Sequence, residues 1–97
     1  MYAIAIIRYR RHLEEVMQFV DAHRGYLREL KQQGTLLASG PFDPRSGGAL
    51  LLRVAGTDVN AALDRVRDND PFYKTGVAQY ELLPWNPVIG SEDLDRI

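Results

Sequence analysis

An α+β fold class follows from three features of this 97-residue sequence. Its segments succeed one another as strand, helix, strand, strand, helix, strand. Both helical segments carry a single apolar stripe, so each has one face to bury. Two strand segments are apolar on both faces, as strands inside a covered sheet are. This order is the split β-α-β, ferredoxin-like topology (βαββαβ): one antiparallel sheet with its helices on one side.

Residues 2–9, YAIAIIRY, predict the first strand, because isoleucine and tyrosine favour the extended state. Tyr2, Ile4 and Ile6 share one face, and Ala3, Ala5 and Ile7 the other. Residues 13–33 predict one long helix. Val16, Phe19, Val20, His23, Leu27 and Leu30 recur at i, i+3, i+4 spacing, with acids at its start, bases at its end and Gly34 as its stop. Gly25 inside this helix costs roughly 1 kcal/mol relative to alanine and is read as a close approach of another backbone. Residues 35–40, TLLASG, predict a short strand, and PFDPRSGG a loop. Residues 49–55, ALLLRVA, predict the third strand, with Thr57 or Asp58 as the following N-cap. The second helix spans 59–69, with Val59, Ala62, Leu63 and Val66 on its stripe. The fourth strand spans 76–83 and ends at Pro84. Residues 1–87 form the domain and 88–97 an acidic tail.

Two helices cover one face of such a sheet. The two-faced strands therefore predict that the other face is covered by something outside this chain. The economical covering is a second copy packed sheet against sheet, with a higher oligomer left open. A chain of this length buries only about 60–70% of the surface that its unfolded form exposes.

Composition excludes several function classes. A net charge of −1 argues against broad nucleic-acid binding. The absence of cysteine excludes disulfides and thiolate zinc sites and fits a reducing cytoplasm. With only two histidines, a dedicated metal site is not expected, and no cofactor motif is present. No apolar run approaches the ~18–20 residues of a membrane span, and the N-terminal run lacks a signal peptide's basic lead. The chain reads as soluble and unprocessed.

The candidate chemistry lies in two segments, FVDAHRGYL and DNDPFYKTG. His23 falls on the apolar stripe of the first helix and needs a partner there. Extending the stripe of the second helix by four residues from Val66 reaches Asp70. A carboxylate beside an imidazole fixes its tautomer and offsets its charge, as in a general acid/base. The bland alternatives are a satisfied structural histidine and a turn-forming aspartate before proline. Ser39 adds a hydroxyl beside Gly40 and Pro41, where a glycine lets a ligand approach the backbone. Arg8, in the basic run RYRRH, reads as an anion binder or as part of a solvated loop. Arg53 reads as an anion holder or as a strand-end or interface ion-pair partner.

Together AHRGYLRELKQQGTLLASGPF and DNDPFYKTGVAQYELLPWN resemble the YCII-related (YciI-like) domain family over residues 1–87. The resemblance rests on His23, SGP at 39–41, DPF at 70–72, Gly76-Val77 and PW at 84–85. It implies the dimeric α/β-barrel, in which ferredoxin-like units pair through their sheets. It further implies a fold similar to muconolactone isomerase, with a chlorohydroxyhydroquinone dehydrochlorinase in or near the family. Carried over residue by residue, it makes His23 and Asp70 a catalytic pair. It places Ser39, Gly40, Pro41 and Phe72 against the ligand. The expected function is lyase- or isomerase-type proton chemistry on a small organic metabolite. The alternative is a dimeric accessory protein that binds such a molecule without transforming it.

Overall fold

The computed structural model describes residues 1–97. The chain runs through β1 (Tyr2–Tyr9), α1 (Leu13–Met17), α2 (Val20–Gln32), β2 (Leu36–Pro41) and β3 (Gly47–Arg53). It continues through α3 (Val59–Asp68), α4 (Pro71–Lys74), β4 (Ala78–Trp85) and α5 (Ser91–Asp95). The four strands form one antiparallel sheet in the order β2-β3-β1-β4. This is the α+β, ferredoxin-like arrangement that the element order predicts.

The two-faced strands, β1 and β3, are the two central ones, which explains their lack of polar alternation. Ala3, Ala5 and Ile7 of β1 and Leu50 and Leu52 of β3 point to the helix side. There they pack with Val20, Leu27 and Leu30 of α2 and Leu63 and Val66 of α3. The helix ends follow their residue types. Gly34 adopts φ 81°, and the N–H of Thr35 returns to the carbonyl of Leu30 (3.0 Å), so α2 ends in a Schellman motif. Asp58 caps α3 by accepting from the N–H of Ala61 (3.0 Å).

Five local expectations are corrected. The long helix breaks at Gln18–Phe19, where the chain tightens into i→i+3 bonds from Gln18 to Glu15 (3.2 Å) and from Phe19 to Val16 (3.0 Å). Neither proline nor glycine marks the break, and the buried stripe runs across it from Val16 to Leu30. No backbone approaches Gly25; a side chain there would meet open space. A one-turn helix, α4, follows α3 because Pro71 suits the first helical position. The third strand begins two residues early, at Gly47, and ends at Arg53. The fourth begins at Ala78 and runs through Pro84 to Trp85. β4 is an edge strand, where a residue without an N–H is tolerated.

The tail corrects a larger expectation, because the chain itself covers part of the far sheet face. The Tyr2 hydroxyl donates to Asp95 Oδ1 (2.5 Å), and Arg53 donates to the carbonyls of Leu94 (3.5 Å) and Ile97 (2.7 Å). Tyr2 and Arg53 are register partners on that face, so α5 lies over its corner. Beside it an apolar part of the face stays open. Ile4, Ile6 and Leu51 are half-buried, while Leu83 is 41% and Trp85 38% exposed. No helix is long and apolar enough to cross a membrane.

Candidate active site

Asp70 stands directly before Pro71, whose ring nitrogen has no hydrogen to offer. The carboxylate therefore reaches one residue further and caps α4 through the N–H of Phe72 (2.9 Å). This side chain is completely buried, and a buried carboxylate must find donors. It has three. The second is Nδ1 of His23, 2.8 Å from Oδ1 and 3.0 Å from Oδ2. The third is the hydroxyl of Tyr80, which donates to Oδ2. Asp70 is thus both the turn residue and the partner of an imidazole, and the two readings of the sequence were not exclusive.

His23 arrives on the buried stripe of α2 and is only 9% exposed. Phe72 stacks flat on its ring, with centroids 3.8 Å apart and planes 5° from parallel. Tyr9 meets Phe72 edge-on at 6.0 Å. Because a carboxylate only accepts, Nδ1 carries the proton and Nε2 is the basic atom. Nε2 has no protein partner, yet no buried side-chain nitrogen or oxygen is unsatisfied. It therefore opens on the hollow that His23 lines.

That hollow measures about 180 Å³. His23 and Phe72 line it with Ser39, Gly40 and Pro41 of β2, and the sheet contributes Ile7 and Leu50. Ser39 is exposed and its hydroxyl makes no protein hydrogen bond. Arg8 and Arg53 do not reach this hollow. Alternation along β1 and β3 turns both to the opposite sheet face. There Arg8 pairs with Glu81 (2.9 Å), and Arg53 holds the tail. A larger groove of about 690 Å³ contains Arg53 and Arg65 but none of the residues around His23.

A family model matches this chain over residues 1–86, as a YCII-related domain. The chain belongs to the YCII-related domain family. Among solved structures it is similar to a 5-chloro-2-hydroxyhydroquinone dehydrochlorinase from Burkholderia phenoliruptrix in complex with 2,5-dihydroxybenzoquinone. The TM-score is 0.75 at 21% identity, over 91% of this chain and 96% of that one. The likeness concerns the fold. No curated protein sequence matches this one closely enough to count as a relative.

The YCII-related domain also holds site residues that sequence reasoning missed. By sequence pattern Tyr80 is only a strand residue. Its alternation with Ala78 and Leu82 places it on the helix side, and a buried tyrosine hydroxyl seeks a partner. That pairing was the available signal. Gly47 and Gly48 at the start of β3, Arg24 on α2 and Arg45 in the loop before β3 also line the hollow, and none of them lies on an apolar stripe.

Burial and the neighbouring Asp70 carboxylate push the Tyr80 hydroxyl far above the usual tyrosine range. Burial, Asp70 and Glu29 push Tyr26 up to about 12. Tyr26 donates to the carbonyl of Val66 (2.7 Å). Both tyrosines keep their protons in the native state at a pH where the unfolded chain loses them, near 10. Their stabilising effect is whole below that pH and declines as the pH rises above it. Urea unfolding midpoints should therefore fall from about pH 10 upward, and less steeply in Tyr80→Phe. Equal slopes would show that Tyr80 ionises like a free tyrosine.

Proposed function

We propose that this YCII-related protein is a small acid–base enzyme of lyase or isomerase type. It acts as a homodimer, without a cofactor, on a small organic metabolite bound beside His23. One observation carries the reading: a fully buried carboxylate holds Nδ1 of an imidazole whose other nitrogen faces a hollow. In this reading Nε2 of His23 takes a proton from a carbon next to a carbonyl or enol. Asp70 positions the ring and balances the imidazolium. The electron pair released from the C–H bond either expels a leaving group from the adjacent carbon or takes the proton back elsewhere. Elimination results in the first case and isomerisation in the second. Ser39 donates its hydroxyl to a ligand oxygen, and Gly40 leaves space for the approach. The fold neighbour is named for loss of hydrogen chloride and was solved with a ring-shaped dihydroxyquinone. Both facts support a ring or enol-like substrate.

The test is chloride release from chlorinated hydroxyhydroquinones, together with proton–deuterium exchange on enolisable ring compounds followed by NMR. His23→Ala should lower turnover by about 10²–10⁴-fold, the usual contribution of a general acid/base. Unchanged turnover removes His23 from the mechanism. Turnover of no compound by the wild type favours the accessory binding protein.

The homodimer reading is supported by the open sheet face. Ile4, Ile6, Leu51, Leu83 and Trp85 form an apolar surface that α5 leaves uncovered, and surfaces of this kind mark interaction sites. A second copy offers the same apolar surface in return. Sedimentation equilibrium should give twice the chain mass; a monomer at micromolar concentration excludes the pairing.

A further inference from the structure

We propose that the hollow beside His23 selects an organic anion, a carboxylate or an acidic enol or phenol, through the guanidinium groups of Arg24 and Arg45. The proposal rests on reading that hollow as the substrate site, and adds the charge of what enters it. The chain as a whole has 13 acidic and 12 basic residues. The lining of the hollow departs from that balance: it contains both arginines and neither aspartate nor glutamate. Asp70, behind the imidazole, is not on the lining and is already bonded to three donors.

The two arginines are also uncommitted. Neither Arg24 nor Arg45 pairs with a carboxylate, as Arg8, Arg67 and Arg96 do; five other arginines are likewise unpaired, but none of those lines the hollow. Arg45 makes one long hydrogen bond, from Nε to the Tyr9 hydroxyl (3.4 Å), and Arg24 makes no side-chain hydrogen bond. A guanidinium without a partner keeps its full set of donors for a carboxylate or enolate, which it meets bidentately.

The space next to the hollow repeats the pattern. A groove of about 280 Å³ shares Arg24, Leu27 and Ser39 with it and adds Arg28 and Lys31, again without an acid. Arg24, Arg28 and Lys31 follow at i, i+4 and i+7, so they line one face of α2. Four cations border two neighbouring spaces that share three lining residues. Clefts lined by one sign of charge focus the field and concentrate ligands of the opposite sign. The same cations oppose the charge that builds on an enolate oxygen when Nε2 takes a proton.

The experiment titrates the whole protein with 2,5-dihydroxybenzoquinone and benzoate, both anions at pH 7.5, and with hydroquinone, a neutral ring of similar size. Binding is read from the NMR shifts of the His23 ring and the Gly40 amide. The variant is Arg24→Gln with Arg45→Gln. Both residues are exposed, and an unchanged thermal midpoint verifies the fold. At least one anion should bind ten times or more tighter than hydroquinone. Its affinity should fall tenfold or more in the double variant and decline with added salt. Hydroquinone binding as tightly as the anions overturns the proposal. So does a double variant with wild-type affinity, or the absence of shifts with both anions. His23→Asn separates this from the acid–base reading. Anion binding that survives there, whatever happens to turnover, supports selection by the arginines. Binding that follows His23 and ignores both arginines overturns it.

Discussion

Asp70→Ala should lower the unfolding free energy by about 3–5 kcal/mol, the range for removing one partner of a buried charged pair. The carboxylate is completely buried and serves donors from three places: α2, the first turn of α4, and β4. Its removal leaves His23 Nδ1, the Phe72 N–H and the Tyr80 hydroxyl without acceptors in a space that water barely enters. A domain of this size has about 5–15 kcal/mol to lose, so the variant should sit near the edge of folding. Asp70→Asn keeps the size and one acceptor oxygen but turns an amide toward a donor, and should fall between the two. Urea unfolding monitored by circular dichroism checks both. A loss below 1 kcal/mol for alanine would mean that the three donors find other acceptors and that Asp70 does not organise the site.

Gly47→Ala should cost about 2–4 kcal/mol, in the upper part of the range for single substitutions, and should disturb ligand binding as well. An added Cβ would lie 1.9 Å from the carbonyl oxygen of Ile7 and 2.9 Å from its carbonyl carbon. Both are backbone atoms, so no side chain can swing aside. The strands would have to part where Arg8 faces Gly47 across the β1–β3 ladder, at the edge of the hollow. Gly25→Ala is the matched control. Its Cβ meets open space inside α2, so helix propensity alone predicts a gain of about 0.5–1 kcal/mol. Thermal midpoints should move in opposite directions; a neutral Gly47→Ala would contradict the close approach.

The site was legible to the extent that local periodicity carries it. His23 sits where the α2 stripe places it, among Val20, Leu27 and Leu30. Asp70 also turns inward, but for another reason than the helical step from Val66: α3 ends at Asp68, and Asp70 is aimed by its extended backbone as the N-cap of α4. Tyr80 is legible in principle from strand alternation and from the need of a buried hydroxyl for a partner. Arg8 and Arg53 show the limit of the method. Each is an unusual charge in an apolar strand, but which face is which depends on the side the helices occupy. The break at Gln18–Phe19 left no mark in residue type, because it is a tightening of hydrogen bonds that any sequence tolerates.

By itself the sequence determined the order of the strands and main helices, the pairing of two-faced strands with the centre of the sheet, and the inward direction of an imidazole. These follow from side-chain geometry within a few residues, at periods of 2 and 3.6. Only the tertiary structure decided that the carboxylate serves three donors at once, that two unpaired arginines border the same hollow, and that α5 folds back over Tyr2 and Arg53. Such contacts join residues up to 93 positions apart. No local pattern encodes that distance, because only the packing of the finished sheet and helices brings those residues together.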